Sequence, residues 1–145
     1  MNLLIIDDEP IQHLIYDKML DIYVPNASSH TMHSYDGANA LEFLKRNSDN
    51  AKALPDMIFL DIHMASLSGF DFLERFKKLS QKLIKKIEVY VISSSIDPDD
   101  INRSKAYAFV KDYIIKPVTQ IAIKNIFNSN GQFPNNMALL KHYGQ

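Results

Sequence analysis

An α/β fold built on a doubly wound parallel sheet is the class that this 145-residue sequence predicts. Two observations support it: apolar segments of four residues or fewer recur along the chain, and segments with helical periodicity lie between them. The apolar segments do not alternate with polar residues, which is typical of strands buried on both faces of a parallel sheet. Strand and helix alternate five times, as expected when helices cover both faces.

Five strands are expected along the chain. Four of them are apolar segments, at residues 3–6, 57–60, 89–92 and 113–115. The other, residues 30–35, is polar and alternating, which suits the edge of a sheet. Crossovers between parallel strands are right-handed, and this fixes how each intervening helix returns over the sheet.

The first helix is predicted to begin at Pro10, because proline is favoured in a first helical turn. Its apolar residues follow the i, i+3, i+4 spacing of one helix face, which predicts that they face the core. They are Ile11, Leu14, Ile15, Met19 and Ile22. On this interpretation His13 lies opposite the apolar face and is exposed to solvent.

Three further helices lie between and after the later strands. The second and third are predicted to follow Asp36-Gly37 and Ser68-Gly69, and the fourth has a strong start signal. Asp97 precedes Pro98 and two further acids, the pattern of an N-cap followed by a first turn that complements the helix dipole. Residues 119–127 are predicted to form the last helix.

Charge and composition exclude several classes of protein. Lys and Arg number 16 against 17 Asp and Glu, a net charge of −1, so no overall positive field is available for nucleic acid. The sequence has no cysteine, which excludes a disulfide scaffold, a thiolate nucleophile and a Cys-ligated zinc site.

The length suggests one domain, since domains most often contain about 100–150 residues. Residues 1–128 hold all the predicted strands and helices, and residues 129–145 are expected to be a C-terminal extension without a separate output domain. The N-terminus lacks a signal-peptide pattern, and no apolar segment approaches the roughly 20 residues of a membrane span. We therefore expect a cytoplasmic protein that binds neither membrane nor nucleic acid.

Polar residues follow the predicted strands at the sheet edge where ligands bind in such folds. In doubly wound sheets that site lies beyond the carboxyl ends of the strands, where the strand order reverses. For the order 2-1-3-4-5 the reversal lies between the first and third strands. The residues that follow strands one, three, four and five are Asp7-Asp8-Glu9, Asp61, Ser93-Ser94-Ser95 and Lys116.

This set of side chains predicts a divalent metal site for phosphoryl chemistry. Two carboxylates about 5 Å apart repel by roughly 3 kcal/mol at an effective dielectric of about 20, so cations are needed to offset them. Lys116 supplies one positive charge, and oxygen-only ligands favour Mg²⁺. Mg²⁺ and Lys neutralise a transferring phosphoryl group, and a nearby carboxylate can attack it. Asp61 is the best candidate nucleophile, whereas Asp7 and Asp8 are better placed to hold the metal.

These residues, in this order, resemble the response-regulator receiver domain. The resemblance spans residues 2 to about 128 and is carried by residues 4–10, residues 55–61, Gly69, Ser93 and Lys116-Pro117. It implies a flavodoxin-like receiver fold, a doubly wound five-stranded parallel sheet in the order 2-1-3-4-5. It also implies a stand-alone phosphorelay protein of a two-component system that signals by protein–protein contacts.

We use the name acidic edge for the carboxyl edge of the sheet that carries Asp7, Asp8 and Asp61. The resemblance implies a role for each of these residues. Asp61 would accept a phosphoryl group from a phosphohistidine on a histidine kinase or phosphotransfer protein. Asp8 would bind Mg²⁺ directly and Asp7 partly through water, and the backbone carbonyl of His63 would be a further ligand.

Three residues of the last two strands would complete the switch. Lys116 would pair with the phosphoryl oxygens. Ser93 would hydrogen-bond the phosphoryl group and move toward it, and Tyr113 would rotate inward to follow. A local change of charge would then be read by a two-state element.

Two departures from the family pattern bear on the site. Ala65 stands where the family usually has Pro, which removes no ligand. The stretch from Ser93 to Lys116 is one residue longer than usual, so Ser94 competes with Ser93 as the switch hydroxyl. We prefer Ser93 because the fourth strand leads directly into it, and we place the extra residue near residues 107–109.

Two other functions compete with the phospho-acceptor. An aspartyl-nucleophile phosphatase of a related α/β fold wants a second acid two residues after the nucleophile, where this chain has His63, so we do not expect a turnover enzyme. A binding module that works without phosphorylation is the other, although all the key residues are present. The His30 and His33 pair is not expected to bind metal, and the lysines at residues 77–86 are interpreted as a solvated helix face.

Overall fold

Strands and helices alternate along the chain in the computed structural model, which describes residues 1–26 and 30–129. Their bounds are β1 (Asn2–Ile6), α1 (Pro10–Tyr23), β2 (His30–Ser34), α2 (Gly37–Arg46), β3 (Met57–Leu60), α3 (Gly69–Ser80), β4 (Glu88–Ser93), α4 (Pro98–Lys105), β5 (Val110–Ile115) and α5 (Gln120–Ser129). The strands form one parallel sheet in the order β2-β1-β3-β4-β5. The predicted fold class and strand order are therefore confirmed.

The central strands are buried on both faces, which explains why their sequences do not alternate. Every residue of β3 is buried, as are four of the five residues of β1. Ile58 and Leu60 belong to a core cluster with Phe72 and Phe76 of α3, whereas Phe59 belongs to a second cluster with residues of α1 and α5. Successive side chains of one strand thus supply two cores, as the sequence predicted.

The edge strand and the Asp97 cap of α4 follow the predictions, and the structure adds caps at the starts of α2 and α3. β2 pairs only with β1 among the described strands, and its residues are half-buried or exposed. Asp36 accepts hydrogen bonds from the first N–H groups of α2, Ser68 from the N–H of Asp71, and Asp97 from the N–H of Asp99. These side chains satisfy N–H groups that the first helical turn leaves without partners.

The predicted core face of α1 is wrong. Ile11 and Leu14 are each 60% exposed and Ile22 is 65% exposed, whereas the buried residues of the helix are Gln12, His13, Tyr16 and Leu20. Two sets of residues on this helix follow the same i, i+3, i+4 spacing. The set that contains the large aromatic ring of Tyr16 packs against the core. The Tyr16 ring meets the Phe59 ring edge-on at 5.5 Å. His13, predicted to face solvent, is buried with both ring nitrogens in hydrogen bonds.

One residue is inserted in β5. The pairing of β4 with β5 runs from Val89 opposite Val110 to Tyr90 opposite Asp112, so Lys111 has no partner of its own in the register. The placement of the residue that is extra relative to the family pattern, near residues 107–109, stays a prediction.

Two further sequence predictions concern the C-terminal extension and membrane spans. The proposed extension, residues 129–145, lies outside the described residues from residue 130 onward. Within residues 1–26 and 30–129, none of the helices has the length and apolar character that crossing a bilayer requires.

Candidate functional site

Three carboxylates converge at the carboxyl edge of the sheet. β1 and β3 are neighbours, so the residues that follow them, Asp7-Asp8 and Asp61, emerge side by side. One carboxylate oxygen from each of the three lies within 4.8 Å of the others. Asp7 is 1% exposed and Asp61 is 4% exposed. The strand order therefore brings together the acids that the sequence predicted as a group.

Asp7 is anchored by bonds to several segments. Its N–H donates to the carbonyl oxygen of Ser34 at 3.1 Å, which ties the end of β1 to the end of β2. Its Oδ1 accepts from the N–H of Glu9 at 2.9 Å, and its Oδ2 accepts from Nζ of Lys116 at 2.9 Å. A buried carboxylate is stable only when its oxygens have such partners.

Lys116 lies between two of the acids. Its Nζ is 2.9 Å from Oδ2 of Asp7 and 3.7 Å from Oδ2 of Asp61. Burial alone would lower the pKa of Lys116, but the hydrogen bond to Asp7 and the charges of Asp61, Asp7 and Glu9 raise it. The Lys116 N–H donates to the carbonyl oxygen of Ser93, and the Lys116–Pro117 peptide is cis. The ammonium group therefore stays charged at the centre of the site.

The negative charge of Asp61 has fewer close hydrogen-bond donors than that of Asp7. Burial raises its pKa, the ammonium of Lys116 opposes this rise, and the charge of Asp7 adds to it. The N–H of His63 donates to Oδ1 of Asp61 at 3.3 Å. The carboxylate form of Asp61 would gain from a further positive charge at this edge.

The loop after Asp61 is held close to the start of α3. The N–H of Gly69 donates to the carbonyl oxygen of Ile62 at 2.9 Å. A Cβ atom on Gly69 would lie 2.3 Å from Cα of Ile62 and 2.7 Å from the carbonyl oxygen of Asp61. Both of these are backbone atoms that cannot move aside, so glycine is required here.

Asp8 receives a hydrogen bond from the same loop. The N–H of Ala65 donates to Oδ2 of Asp8 at 2.8 Å. A proline, the usual residue of the family at this position, has no N–H and could not form this bond. The departure noted in the sequence therefore changes the surroundings of one acid.

The serines after β4 differ in their environment. Ser93 is fully buried, and its Oγ accepts from the N–H of Ser95 at 3.2 Å, whereas Ser94 is exposed. The hydroxyl of Tyr113 donates to the carbonyl oxygen of Ser95 at 2.8 Å, and Tyr113 is 8% exposed. The preference for Ser93 as the switch hydroxyl stays a prediction.

Sequence reasoning missed Asp100, which it interpreted only as an acid that complements the dipole of α4. Oδ2 of Asp100 accepts from the hydroxyl of Ser95 at 2.6 Å and lies 3.7 Å from Nε2 of His63. His63 and Asp100 belong to loops after different strands, so nothing in the linear sequence indicates that they meet.

The donor set fits a hard divalent cation. Asp7, Asp8 and Asp61 offer carboxylate oxygens at mutual distances that one ion could span, and oxygen is the donor that Mg²⁺ prefers. The carbonyl of His63 as a further ligand stays a prediction. The site thus combines three carboxylates, one ammonium group and one buried hydroxyl.

Comparisons with known proteins agree with this geometry. A family model of the response regulator receiver domain matches residues 3–128. The two-component response regulator ORR1 of Oryza sativa subsp. japonica is 28% identical over 127 residues, which cover 88% of this chain and 54% of the relative. The chain spans about half the length of several curated relatives that it matches.

Solved structures give the same result. The crystal structure of a two component response regulator from Cytophaga hutchinsonii superposes with a TM-score of 0.77 at 27% identity, covering 88% of this chain and 94% of that one. The phosphorylated cyanobacterial phytochrome response regulator RcpA has a TM-score of 0.69 at 25% identity, with 91% of each chain covered. The family resemblance read from the sequence is confirmed: the chain belongs to the response regulator receiver domains of two-component systems.

Proposed function

We propose that Asp61 accepts a phosphoryl group from a phosphohistidine of a histidine kinase or phosphotransfer protein. The observation that carries the proposal is the convergence of Asp7, Asp8 and Asp61 within 4.8 Å beside the ammonium group of Lys116. An arrangement of this kind attracts a cation and then a group that carries several negative oxygens.

Asp7, Asp8 and Asp61, with the carbonyl of His63 as the predicted further ligand, would hold Mg²⁺. When bound, Mg²⁺ neutralises charge on the phosphoryl oxygens and on the carboxylates around them. Asp7 is fixed by hydrogen bonds from Glu9 and Lys116, so the chain presents this ligand in a defined position. Such positioning lowers the cost of assembling the site.

The transfer step needs no further cofactor. A carboxylate oxygen of Asp61 forms a bond to phosphorus as the phosphorus–nitrogen bond of the phosphohistidine breaks. The departing imidazole nitrogen keeps the electron pair of that bond and takes a proton from water. Lys116, 3.7 Å from Oδ2 of Asp61, supplies a positive charge that can pair with a phosphoryl oxygen.

The response to phosphorylation would start at Ser93. Its hydroxyl now accepts from the N–H of Ser95, whose carbonyl oxygen accepts from the hydroxyl of Tyr113. A phosphoryl oxygen on Asp61 would draw the Ser93 hydroxyl as a donor and disturb this short chain of bonds. Ser93 and Tyr113 are therefore proposed as switch residues.

Output would pass through protein contacts. Tyr107 and Phe109, which precede β5, line an open cleft of about 530 Å³ together with Glu74, Lys77 and Arg103. The aromatic rings and mixed charges of this cleft are typical of protein-binding surfaces. A cytoplasmic location stays a prediction.

We propose a phospho-acceptor rather than a turnover phosphatase. The position two residues after Asp61 is His63, and His63 is exposed, with Asp100 beside it. A phosphatase of the aspartyl type would need a carboxylic acid there to protonate the leaving group. Steady multiple turnover on small phosphate esters would support the enzyme instead.

Incubation with Mg²⁺ and acetyl phosphate tests the proposal. We expect the intact protein to gain the mass of one phosphoryl group, and Asp61→Asn to gain none. Asp49→Asn, at an exposed position after α2, is the matched control and should be labelled like the wild type. Labelling of the Asp61→Asn variant, or none in the wild type, would contradict the proposal.

A further inference from the structure

Two imidazole rings form a hydrogen-bonded line behind the acidic edge. His13 of α1 is 2% exposed, and its Nε2 lies 2.7 Å from the carbonyl oxygen of Asp7. Its Nδ1 lies 2.7 Å from Nδ1 of His33 on β2, and Nε2 of His33 lies 3.2 Å from Oδ1 of Asp17. The line therefore runs from the main chain of Asp7 to the carboxylate of Asp17.

The protons in this line can be counted. A carbonyl oxygen only accepts, so Nε2 of His13 carries a proton. A proton also lies between the two Nδ1 atoms, because two unprotonated nitrogens would not approach to 2.7 Å. His33 donates this proton, because Nε2 of His13 already donates to Asp7 and a neutral imidazole has one donor and one acceptor.

Nε2 of His33 lies beside the Asp17 carboxylate at the far end of the line. His13 is enclosed by α1, β2 and the ring of Tyr35, whose centroid is 4.2 Å away, and such enclosure disfavours a charged ring. His13 is therefore a neutral ring that donates through Nε2 and accepts through Nδ1.

We infer that His13 is a positioning residue for the acidic edge: its Nε2–H holds the peptide between Asp7 and Asp8, and His33 with Asp17 keeps its ring in the tautomer that can donate. The inference rests on the proposed function, because Asp7 and Asp8 are the residues proposed to hold Mg²⁺. Asp7 and Asp8 share this one peptide, so its tilt sets how their two carboxylates lie relative to each other.

A role in filling space would not need this pattern of bonds. The N–H of Asp7 donates to Ser34, its carboxylate oxygens accept from Glu9 and Lys116, and its carbonyl is the remaining polar atom. His13, in the first turn of α1, supplies the donor for that carbonyl. Loss of the bond would leave a buried carbonyl without a partner and would free the peptide to rotate.

Two substitutions separate the hydrogen bond from the volume of the ring. His13→Phe keeps a ring of similar size but can neither donate nor accept. His13→Gln keeps a donor for Asp7 and an acceptor for His33. Leu20→Ala, on the same buried face of α1 but away from the acidic edge, is the control for loss of packing.

Mg²⁺ affinity, measured by calorimetric titration of the full chain, is the first readout. We expect the dissociation constant to rise about tenfold in His13→Phe, as for other residues that orient metal ligands. It should stay within about twofold of the wild type in His13→Gln and in folded Leu20→Ala. A His13→Phe variant that is folded and binds Mg²⁺ like the wild type would overturn the inference.

The ¹⁵N shifts of the ring nitrogens are a readout that depends on neither Mg²⁺ nor phosphorylation. We expect His13 to be protonated at Nε2 and not at Nδ1, and His33 to be protonated at Nδ1. A His13 ring protonated at Nδ1 alone would overturn the inference even if Asp61 is phosphorylated. Wild-type protein that binds no Mg²⁺ would contradict the proposed function, and the ring shifts would still decide whether His13 donates to Asp7.

Discussion

The N–H of Ala65 and the Oδ2 atom of Asp8 form a 2.8 Å hydrogen bond across the acidic edge. Ala65 lies in the loop after β3, and Asp8 lies in the loop after β1. The bond therefore links the acceptor loop to a residue proposed to bind Mg²⁺. It depends on a main-chain donor that proline lacks.

Ala65→Pro should tighten Mg²⁺ binding. The substitution removes the N–H that now occupies Oδ2 of Asp8, which leaves that oxygen free for the cation. A net hydrogen bond contributes about 0.5–1.5 kcal/mol, so we expect the dissociation constant to fall roughly three- to tenfold, measured by calorimetric titration. Ala65→Gly, which keeps the N–H, is the control and should bind as the wild type does. Weaker binding in a folded Ala65→Pro protein would show that the bond positions Asp8 instead.

Lys116→Gln should destabilise the metal-free protein. The ammonium group is the cation between Asp7 and Asp61, and its removal leaves two buried carboxylates facing each other. Breaking a buried pair on one side costs about 3 kcal/mol, and urea unfolding in the absence of divalent ions would measure the loss. Mg²⁺ should then stabilise Lys116→Gln more than it stabilises the wild type, because it replaces the missing charge. Equal stabilisation of the two proteins would contradict this account.

Polar substitution of Ile11 and Leu14 should slow transfer from a protein donor only. These side chains are 60% exposed on α1, and Ile11 lies three residues after Asp8, near the site where the proposed phosphohistidine donor would act. We propose that they contact the partner that carries the phosphohistidine. Ile11→Gln with Leu14→Gln should lower the rate of transfer from that partner about tenfold, which corresponds to roughly 1.4 kcal/mol.

Acetyl phosphate separates this effect from damage to the site. The double variant should be labelled by acetyl phosphate at the wild-type rate, because the acidic edge is unchanged. Ile22→Gln, on the last turn of α1 and 65% exposed, is the matched control and should leave both reactions unchanged. A double variant that receives phosphoryl groups from its protein donor at the wild-type rate would exclude this surface.

Asp56→Asn should lower stability in a pH-dependent way. Oδ1 of Asp56 lies 3.0 Å from Nζ of Lys85, and its Oδ2 accepts from the N–H of Asn2 at 2.7 Å. Burial would raise the pKa of Asp56, but these two partners outweigh it and lower the pKa below the ordinary value of 3.8. The stabilisation is therefore present above the unfolded-state pKa and is lost as the pH falls through the folded-state pKa.

Urea unfolding of the wild type and Asp56→Asn at several pH values would measure this. For a partly exposed pair we expect a loss of about 0.5–1 kcal/mol above roughly pH 5, shrinking toward zero as the pH falls below about 4. Asp49→Asn should show no such trend. A difference that does not change with pH would mean that the charge of Asp56 contributes nothing.

The position of Asp61 could be predicted from the sequence, and the burial of α1 could not. An apolar segment followed by an acid marks the end of a buried strand, and the sheet order then places that acid beside Asp7. In α1 two stripes share the same periodicity, and the choice between them depends on Tyr16 meeting Phe59 and on hydrogen bonds that make a buried His13 tolerable. Such partners come from other elements, so spacing along one helix does not reveal them.

The contacts of Lys85 could not be predicted from the sequence either, because its partners lie on other segments. The sequence interpretation treated residues 77–86 as a solvated helix face. The structure instead places Nζ of Lys85 2.8 Å from each of two carbonyl oxygens, those of Ala51 and Leu54, as well as beside Asp56. The sequence alone does not distinguish a lysine that donates to loop carbonyl groups from a lysine that is exposed to solvent.

Asp7 has more hydrogen-bond partners than the residues on the other side of Asp61. Ser34 at the end of β2, Lys116 after β5, and Glu9 and His13 at the start of α1 hold Asp7 through hydrogen bonds. On the opposite side, the Oγ atom of Ser93 accepts from the N–H of Ser95, and the carbonyl oxygen of Ser95 accepts from the hydroxyl of Tyr113. If Asp61 is phosphorylated as proposed, the new charge would face Asp7, whose polar atoms all have partners, on the side of β1, and the Ser93 hydroxyl, which can exchange its partner, on the side of β4. Displacement would then be directed toward α4 and β5, so the anchoring of Asp7 would set the direction of the signal.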